Sequence, residues 1–247
     1  MTPPGRSRER SLLGAYRDNL LLSGKKDKRR IVTGWTLSAM RHLAESWLRT
    51  AGAVGARGDV AGAGAGLLIR WSEPHRRYHD VAHLDAVLRR VDELSGVAVE
   101  VDLVRLGAWF HDAVYDPTAA DNEARSGHHA EKVLTELRVS AVLVARVVEL
   151  VATTATHAPE PGDRDGAVLC DADLAVLAGG DAGYGRYTDA VRAEYAHLDD
   201  ATFTAGRARI LRSLLDRPAM FSTAHGRTHW ESPARANVRR ELESLGS

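Results

Sequence analysis

The stretch Gly107-Ala108-Trp109-Phe110-His111-Asp112-Ala113-Val114-Tyr115-Asp116 sets the terms for the rest of this chain. Val101, Val104, Leu106, Ala108 and Trp109 supply the apolar side of a helix, so residues 98–116 are predicted to form a central helix facing the core. Asp116-Pro117 would end it. The run delivers an imidazole and a carboxylate side by side. Both are ligands for first-row metals, and at the end of a buried helix they can reach one ion together.

The flanking sequence reads as further helices. Trp35, Leu37, Met40, Leu43, Trp47 and Leu48 give an apolar stripe over 35–50. A Gly/Ala-rich loop follows, then a helix over 61–72 that stops near Pro74. Residues 76–95 bury Val81, Leu84, Val87, Leu88 and Val91, which would place His79 and His83 one turn apart on one helix. A polar loop over 117–127 leads to helices over 124–138 and 140–156. A Pro/Gly/Asp loop over 158–166 precedes a short apolar helix over 167–177. After a break at 179–185 come closing helices over 187–198, 202–215 and 233–245. No useful strand alternation and no internal repeat interrupts this order. The expected fold is all-α, a single-domain helical bundle spanning residues 34–247.

Composition narrows the functional classes. Hydrophobic residues make up 44% of 247, ample for one large core. Lys and Arg equal Asp and Glu at 33 each, which argues against a general nucleic-acid binder. The balance is uneven. The first 30 residues hold nine basic and three acidic side chains, and the remainder carries the compensating negative charge. Residues 1–33 are therefore expected to be a basic, disordered extension. The longest apolar run, Ala141 to Ala152, is broken by Arg146 and Glu149 and falls short of the ~20 residues of a membrane span. Cys170 is the single cysteine, so no intrachain disulfide forms, and with no apolar leader the expected compartment is the cytoplasm.

The His-Asp pair has company on both sides. Upstream lies Tyr78-His79-Asp80-Val81-Ala82-His83-Leu84, and downstream Asp171-Ala172-Asp173-Leu174. The order His, His-Asp, Asp resembles the HD superfamily of metal-dependent phosphohydrolases. Residues 35–245 are similar to a narrower bacterial group of HD phosphohydrolases. The marks are Arg77-Tyr78-His79, Trp109 to Asp116, Asn122-Glu123, Thr156-His157, Asp171 to Leu174, Arg192-Ala193-Glu194-Tyr195, Gly206-Arg207 and Ala234-Arg235-Ala236-Asn237. The resemblance implies an HD-type helical fold, compatible with a homodimer. It also implies a small phosphorylated substrate and one or two divalent transition-metal ions (Mn, Fe, Co, Ni or Zn).

Carried over residue by residue, the resemblance implies His83, His111, Asp112 and Asp173 as ligands. The segment from Tyr78 is also similar to the Tyr-His-Asn-x-x-His-Ala signature of cyclic-nucleotide phosphodiesterases. By that likeness His79 is the general acid, although Asp80 stands where that family has Asn. The reverse assignment, His79 as ligand with His83 behind it, stays open, as does Asp171 in place of Asp173. Glu123 is a candidate base. Arg77, Tyr78, His157, Arg192, Arg207 and Arg235 are candidate substrate contacts, the arginines as bidentate phosphate forks. The implied reaction is hydrolysis of a small phosphate ester, a nucleotide among the candidates. The alternatives are a di-iron oxygenase, for which only His79 and His157 remain as extra ligands, and a nucleotide-sensing module without turnover. A (p)ppGpp hydrolase is disfavoured because no Glu-Asp pair follows Asp112.

Overall fold

A computed structural model describes residues 37–246, and the expectation for residues 1–33 lies outside them. The described chain is helical, with no strand among its residues. In order the helices are α1 (Leu37–Ala53), α2 (Val60–Trp71), α3 (Val81–Glu93), α4 (Val101–Phe110), α5 (Asn122–Glu136) and α6 (Ala141–Thr154). They continue as α7 (Arg164–Leu174), a 3-10 turn (Ala175–Ala178), α8 (Asp181–Glu194), α9 (Asp200–Leu215), α10 (Ala224–His229) and α11 (Glu231–Ser244). The all-α bundle expected from the sequence is what forms.

Helix α4 is the axis. It buries Leu103, Val104, Leu106, Gly107, Ala108, Trp109 and Phe110, covering most of its circumference, and such a helix belongs at the centre of a fold. Helices α1, α3, α5, α6 and α7 pack around it. Gly107 permits the closest of these approaches. A Cβ there would meet Leu169 Cδ2 of α7 at 2.9 Å and Leu150 Cβ of α6 at 3.3 Å. Helices α8 to α11 form a second group, joined to the first through the 3-10 turn, against which α8 and α11 pack.

Local chemistry sets the helix starts, and several differ from the sequence expectation. The Asp80 carboxylate accepts from the backbone N–H of Ala82 and His83, so α3 begins at Val81 instead of residue 76. His79 consequently lies in the loop before the helix and not one turn along it. Asp163, Asp199 and Thr223 cap α7, α9 and α10 in the same way. Helix α8 begins at Asp181, taking in Gly183 and Gly185, which the sequence reading placed in a break.

The central helix also ends early, at Phe110 instead of 116. Side chains elsewhere capture the backbone beyond it. Ser126 Oγ accepts from the Val114 N–H, and Asn122 Oδ1 accepts from the Asp116 N–H, both from α5. The last carbonyls of a helix have no partner within it. Here Trp71 Nε1 donates to the Trp109 carbonyl at 3.0 Å, and Arg76 donates to those of Asp112 and Ala113. The His111-Asp112 pair is thus held on a fixed turn.

Two tests follow from this packing. Leu106 is fully buried and Val142 is 79% exposed. Leu106→Ala should lower stability by about 2–5 kcal/mol in urea unfolding, while Val142→Ala should stay within about 0.5 kcal/mol. His129 of α5 packs edge-on against Phe110. Burial, with the nearby charges of Arg70 and Lys132, pushes its pKa down to about 4. The folded chain keeps this ring neutral while the unfolded chain protonates it below about pH 6.5. Stability should therefore fall as pH drops from about 6.5 toward 4, and less steeply in His129→Gln, as thermal denaturation across that range would record.

Candidate metal centre

Three helices and two loops meet beside the end of α4. His83 comes from the first turn of α3, His111 and Asp112 from the turn after α4, and Asp173 from the last turn of α7. The loop before α3 adds His79, and the turn after α6 adds His157. His83, His111 and Asp173 form a group able to hold a metal ion, their ligand atoms all within 4.8 Å of one another. Asp112 borders it, with Oδ2 at 3.2 Å from His111 Nε2 and 3.9 Å from His83 Nε2.

The orientation of the rings bears on what fits there. His111 Nδ1 lies 2.9 Å from the Ala108 carbonyl, so Nδ1 carries a proton and Nε2 faces the centre. His83 Nε2 faces that same atom at 3.2 Å. At that distance one nitrogen donates a hydrogen bond to the other, and an ion set between them would take both as ligands. The demand for positive charge comes from the carboxylates. Asp173 Oδ1 lies 3.0 Å from His83 Nε2 and 3.6 Å from His111 Nε2.

The titration behaviour expresses the same demand. Burial disfavours protonated His111, yet Asp112 and Asp173 outweigh it and hold its pKa well above the ordinary imidazole value. Burial would raise Asp112 and Asp173. The neighbouring histidines, His111 first, instead hold both below the usual carboxylate range. A metal ion would supply the charge these groups otherwise draw in as protons, and two neutral imidazoles with one or two carboxylates are a donor set suited to one.

Other side chains fix this arrangement. His157 Nε2 lies 2.7 Å from Asp173 Oδ2. Its backbone has φ +47°, a left-handed conformation that a non-glycine residue adopts only when its surroundings impose it. Arg217 imposes it, donating to the carbonyls of Thr156 and His157 at 2.8 and 3.0 Å. Arg235 in turn donates to the Arg217 and Leu215 carbonyls and pairs with Glu231.

His79 is held on every side. Glu194, buried on α8, accepts from the backbone N–H of Tyr78 at 2.9 Å and of His79 at 3.2 Å, and lies 3.1 Å from His79 Nδ1. Burial would raise the Glu194 pKa, but these hydrogen bonds hold it below the ordinary value. Tyr115 stacks on the ring at 4.3 Å between centroids. The remaining nitrogen, Nε2, lies 4.0 Å from Asp112 Oδ2. For His79 itself, burial works against protonation, but Asp112 and Glu194 more than offset it, and its pKa is raised.

Of the residues singled out in the sequence, His79, His83, His111, Asp112, His157 and Asp173 converge here. Tyr78 lies against the His79 and His83 rings. Asp171 faces elsewhere. It is fully buried and accepts from Ser222 N–H, Thr223 N–H and Thr223 Oγ1. Half-buried Glu123 lies on the wall of a cavity of about 600 Å³, which Tyr78, His79, His157 and Asp173 also line.

The four arginines expected to grip a phosphate do other work or stand apart. Arg77 is exposed. Arg192 bonds the Tyr195 and Leu198 carbonyls and Asp200, and Arg207 pairs with Glu241. Arg235 locks the end of α9, as described. The sequence reading assigned no role to Glu194 or Arg76. Glu194 sits inside the marked run Arg192 to Tyr195, and Arg76 adjoins Arg77. Nothing in their spacing distinguishes them from surface charges.

Compared with protein-family models, with curated proteins and with solved structures, the chain matches none.

Divalent metal at one hundred times its Kd should stabilise the chelator-treated protein by about 2.7 kcal/mol. His83→Ala should remove that gain and Arg77→Ala should retain it, as melting temperatures with and without metal would show.

Proposed function

We propose that this chain is a metal-dependent phosphohydrolase of the HD type, acting on a small phosphate ester. The observation that carries the reading is the convergence of His83, His111, Asp112 and Asp173 beside a third, rigidly held histidine, His79, on the wall of one cavity. A divalent transition metal (Mn, Fe, Co, Ni or Zn) held by those four residues would supply activated water and charge shielding for the phosphoryl oxygens. The surrounding residues supply the rest. Ala108 fixes the His111 tautomer, and His157 holds Asp173 in place.

In this reading His79 is the general acid. Its Nδ1–H is tied to Glu194, which leaves Nε2 to give its proton to the departing alkoxide oxygen. Asp112 and Glu194 favour the protonated ring that the step requires. Glu123, on the cavity wall, would hold water or act as the general base.

One observation favours a second reading. His79 Nε2 and His157 Nε2 each lie against a carboxylate of the cluster, at 4.0 Å from Asp112 and 2.7 Å from Asp173. In this second reading both imidazoles would serve a second ion, as a di-iron oxygenase would need. Elemental analysis separates the two: two irons per chain with substrate-dependent oxygen consumption would support the oxygenase.

For the hydrolase, Asp112→Ala should abolish both metal retention and phosphate release, and full activity in a metal-free Asp112→Ala protein would sink the reading. His79→Ala should lower kcat by about 10²–10⁴. Glu194→Gln should lower kcat as well, with metal content unchanged.

A further inference from the structure

The cavity beside the metal centre has an uneven lining. Its outer wall comes from α8, α9 and the loop between them, with Tyr187, Tyr195, Leu198, Phe203, Ile210 and Leu214. The polar ends on this wall are partly engaged. Tyr187 Oη accepts from Arg207 at 2.9 Å, and Tyr195 Oη lies 3.4 Å from Tyr115 Oη. Thr202 Oγ1 donates to Asp199, and Ser213 Oγ donates to the Ile210 carbonyl, each at 2.8 Å. The wall therefore offers a ligand mainly ring faces and aliphatic surface, with the Tyr187 and Tyr195 hydroxyl hydrogens left as donors.

Its cations are equally committed. Arg207 forms a two-pronged pair with Glu241, at 2.7 and 3.1 Å. Arg217 is bound to two backbone carbonyls. Among the described arginines that line the cavity, Arg209, exposed on α9, and Arg217 form no ion pair, and Arg217 is tied down by its two carbonyls. At the centre itself, the charges of Asp112 and Asp173 would balance one divalent ion. A chain of phosphates would bring several negative charges to a cavity whose unpaired arginines are Arg209 and the carbonyl-bound Arg217.

We propose that the site takes a phosphate monoester whose alcohol half is a flat, apolar ring system, and that it discriminates against polyphosphates. The inference rests on the phosphohydrolase reading for its reactive end. Its apolar end rests on the wall of α8 and α9 alone. A volume of about 600 Å³ accommodates a ligand of this size with its ring against Phe203 and Ile210.

The test is calorimetric titration of the full-length, metal-loaded protein with 1-naphthylmethylphosphonate, methylphosphonate and β,γ-methylene-ATP, none of which is hydrolysed by the proposed reaction. The naphthyl compound should bind at least about tenfold more tightly than methylphosphonate, from ring burial alone. That advantage should shrink in Phe203→Ser and in Ile210→Ser. Ile210 is 50% exposed, so the second variant keeps the fold. Equal binding of the two phosphonates, no binding of either, or tighter binding of the ATP analogue would overturn the proposal. The expected binding without release of phosphate from 1-naphthyl phosphate, under any of the five metals, would sustain the ligand class and overturn the hydrolase reading.

Discussion

Two imidazole nitrogens, from His83 and His111, face each other 3.2 Å apart in the interior of this protein. That contact is a hydrogen bond when one nitrogen carries a proton, and it sets two donor atoms side by side for an ion, while the surroundings hold both rings in place. The Ala108 carbonyl fixes one of them, and α3 carries the other in its capped first turn. Around this pair the rest of the architecture is arranged. Helix α4 is buried on nearly all sides because it must deliver His111 and Asp112 to the middle of the bundle. Helix α7 runs beside it to bring Asp173, and Gly107 allows the two to approach closely. The helix end that bears the His-Asp turn is completed from outside the helix, by the Trp71 indole and the Arg76 guanidinium.

Much of this was legible in the sequence, for identifiable reasons. Apolar spacing marks α4, α6 and α1 because these helices bury a continuous stripe. The chemistry of His83, His111, Asp112 and Asp173 stands out because few roles suit imidazole and carboxylate on apolar helices. The helix boundaries were less legible. Asp80 looks like an interior residue until its carboxylate is seen capping α3, and that cap removes His79 from the helix. The end of α4 depends on Ser126 and Asn122, residues of another helix, and no local pattern reports them.

The arginines were the hardest to read. A guanidinium near a suspected phosphate site invites one interpretation, yet Arg192, Arg207, Arg217 and Arg235 bind carbonyls and carboxylates of the protein itself. They hold the second group of helices together and leave the cavity wall apolar. Glu194 is the opposite case. It reads as a surface acid and proves to be a buried partner of His79, reached across 115 residues of sequence. Long-range pairings of this kind carry no periodic trace. The same fold therefore spends its cations on structure and its least conspicuous acid on the site.

Asp171 and Asp173 sit two residues apart on α7 and so point to different sides of it. One grips the backbone at Ser222 and Thr223, and the other belongs to the histidine cluster. Helix α7 is in effect a short lever with a handle on each side. The segment ahead of α10 and the histidine cluster are thus fastened to one helix, about half a helical turn apart. A substitution around residues 218–226 would act on the helix that carries Asp173 while touching no member of the cluster.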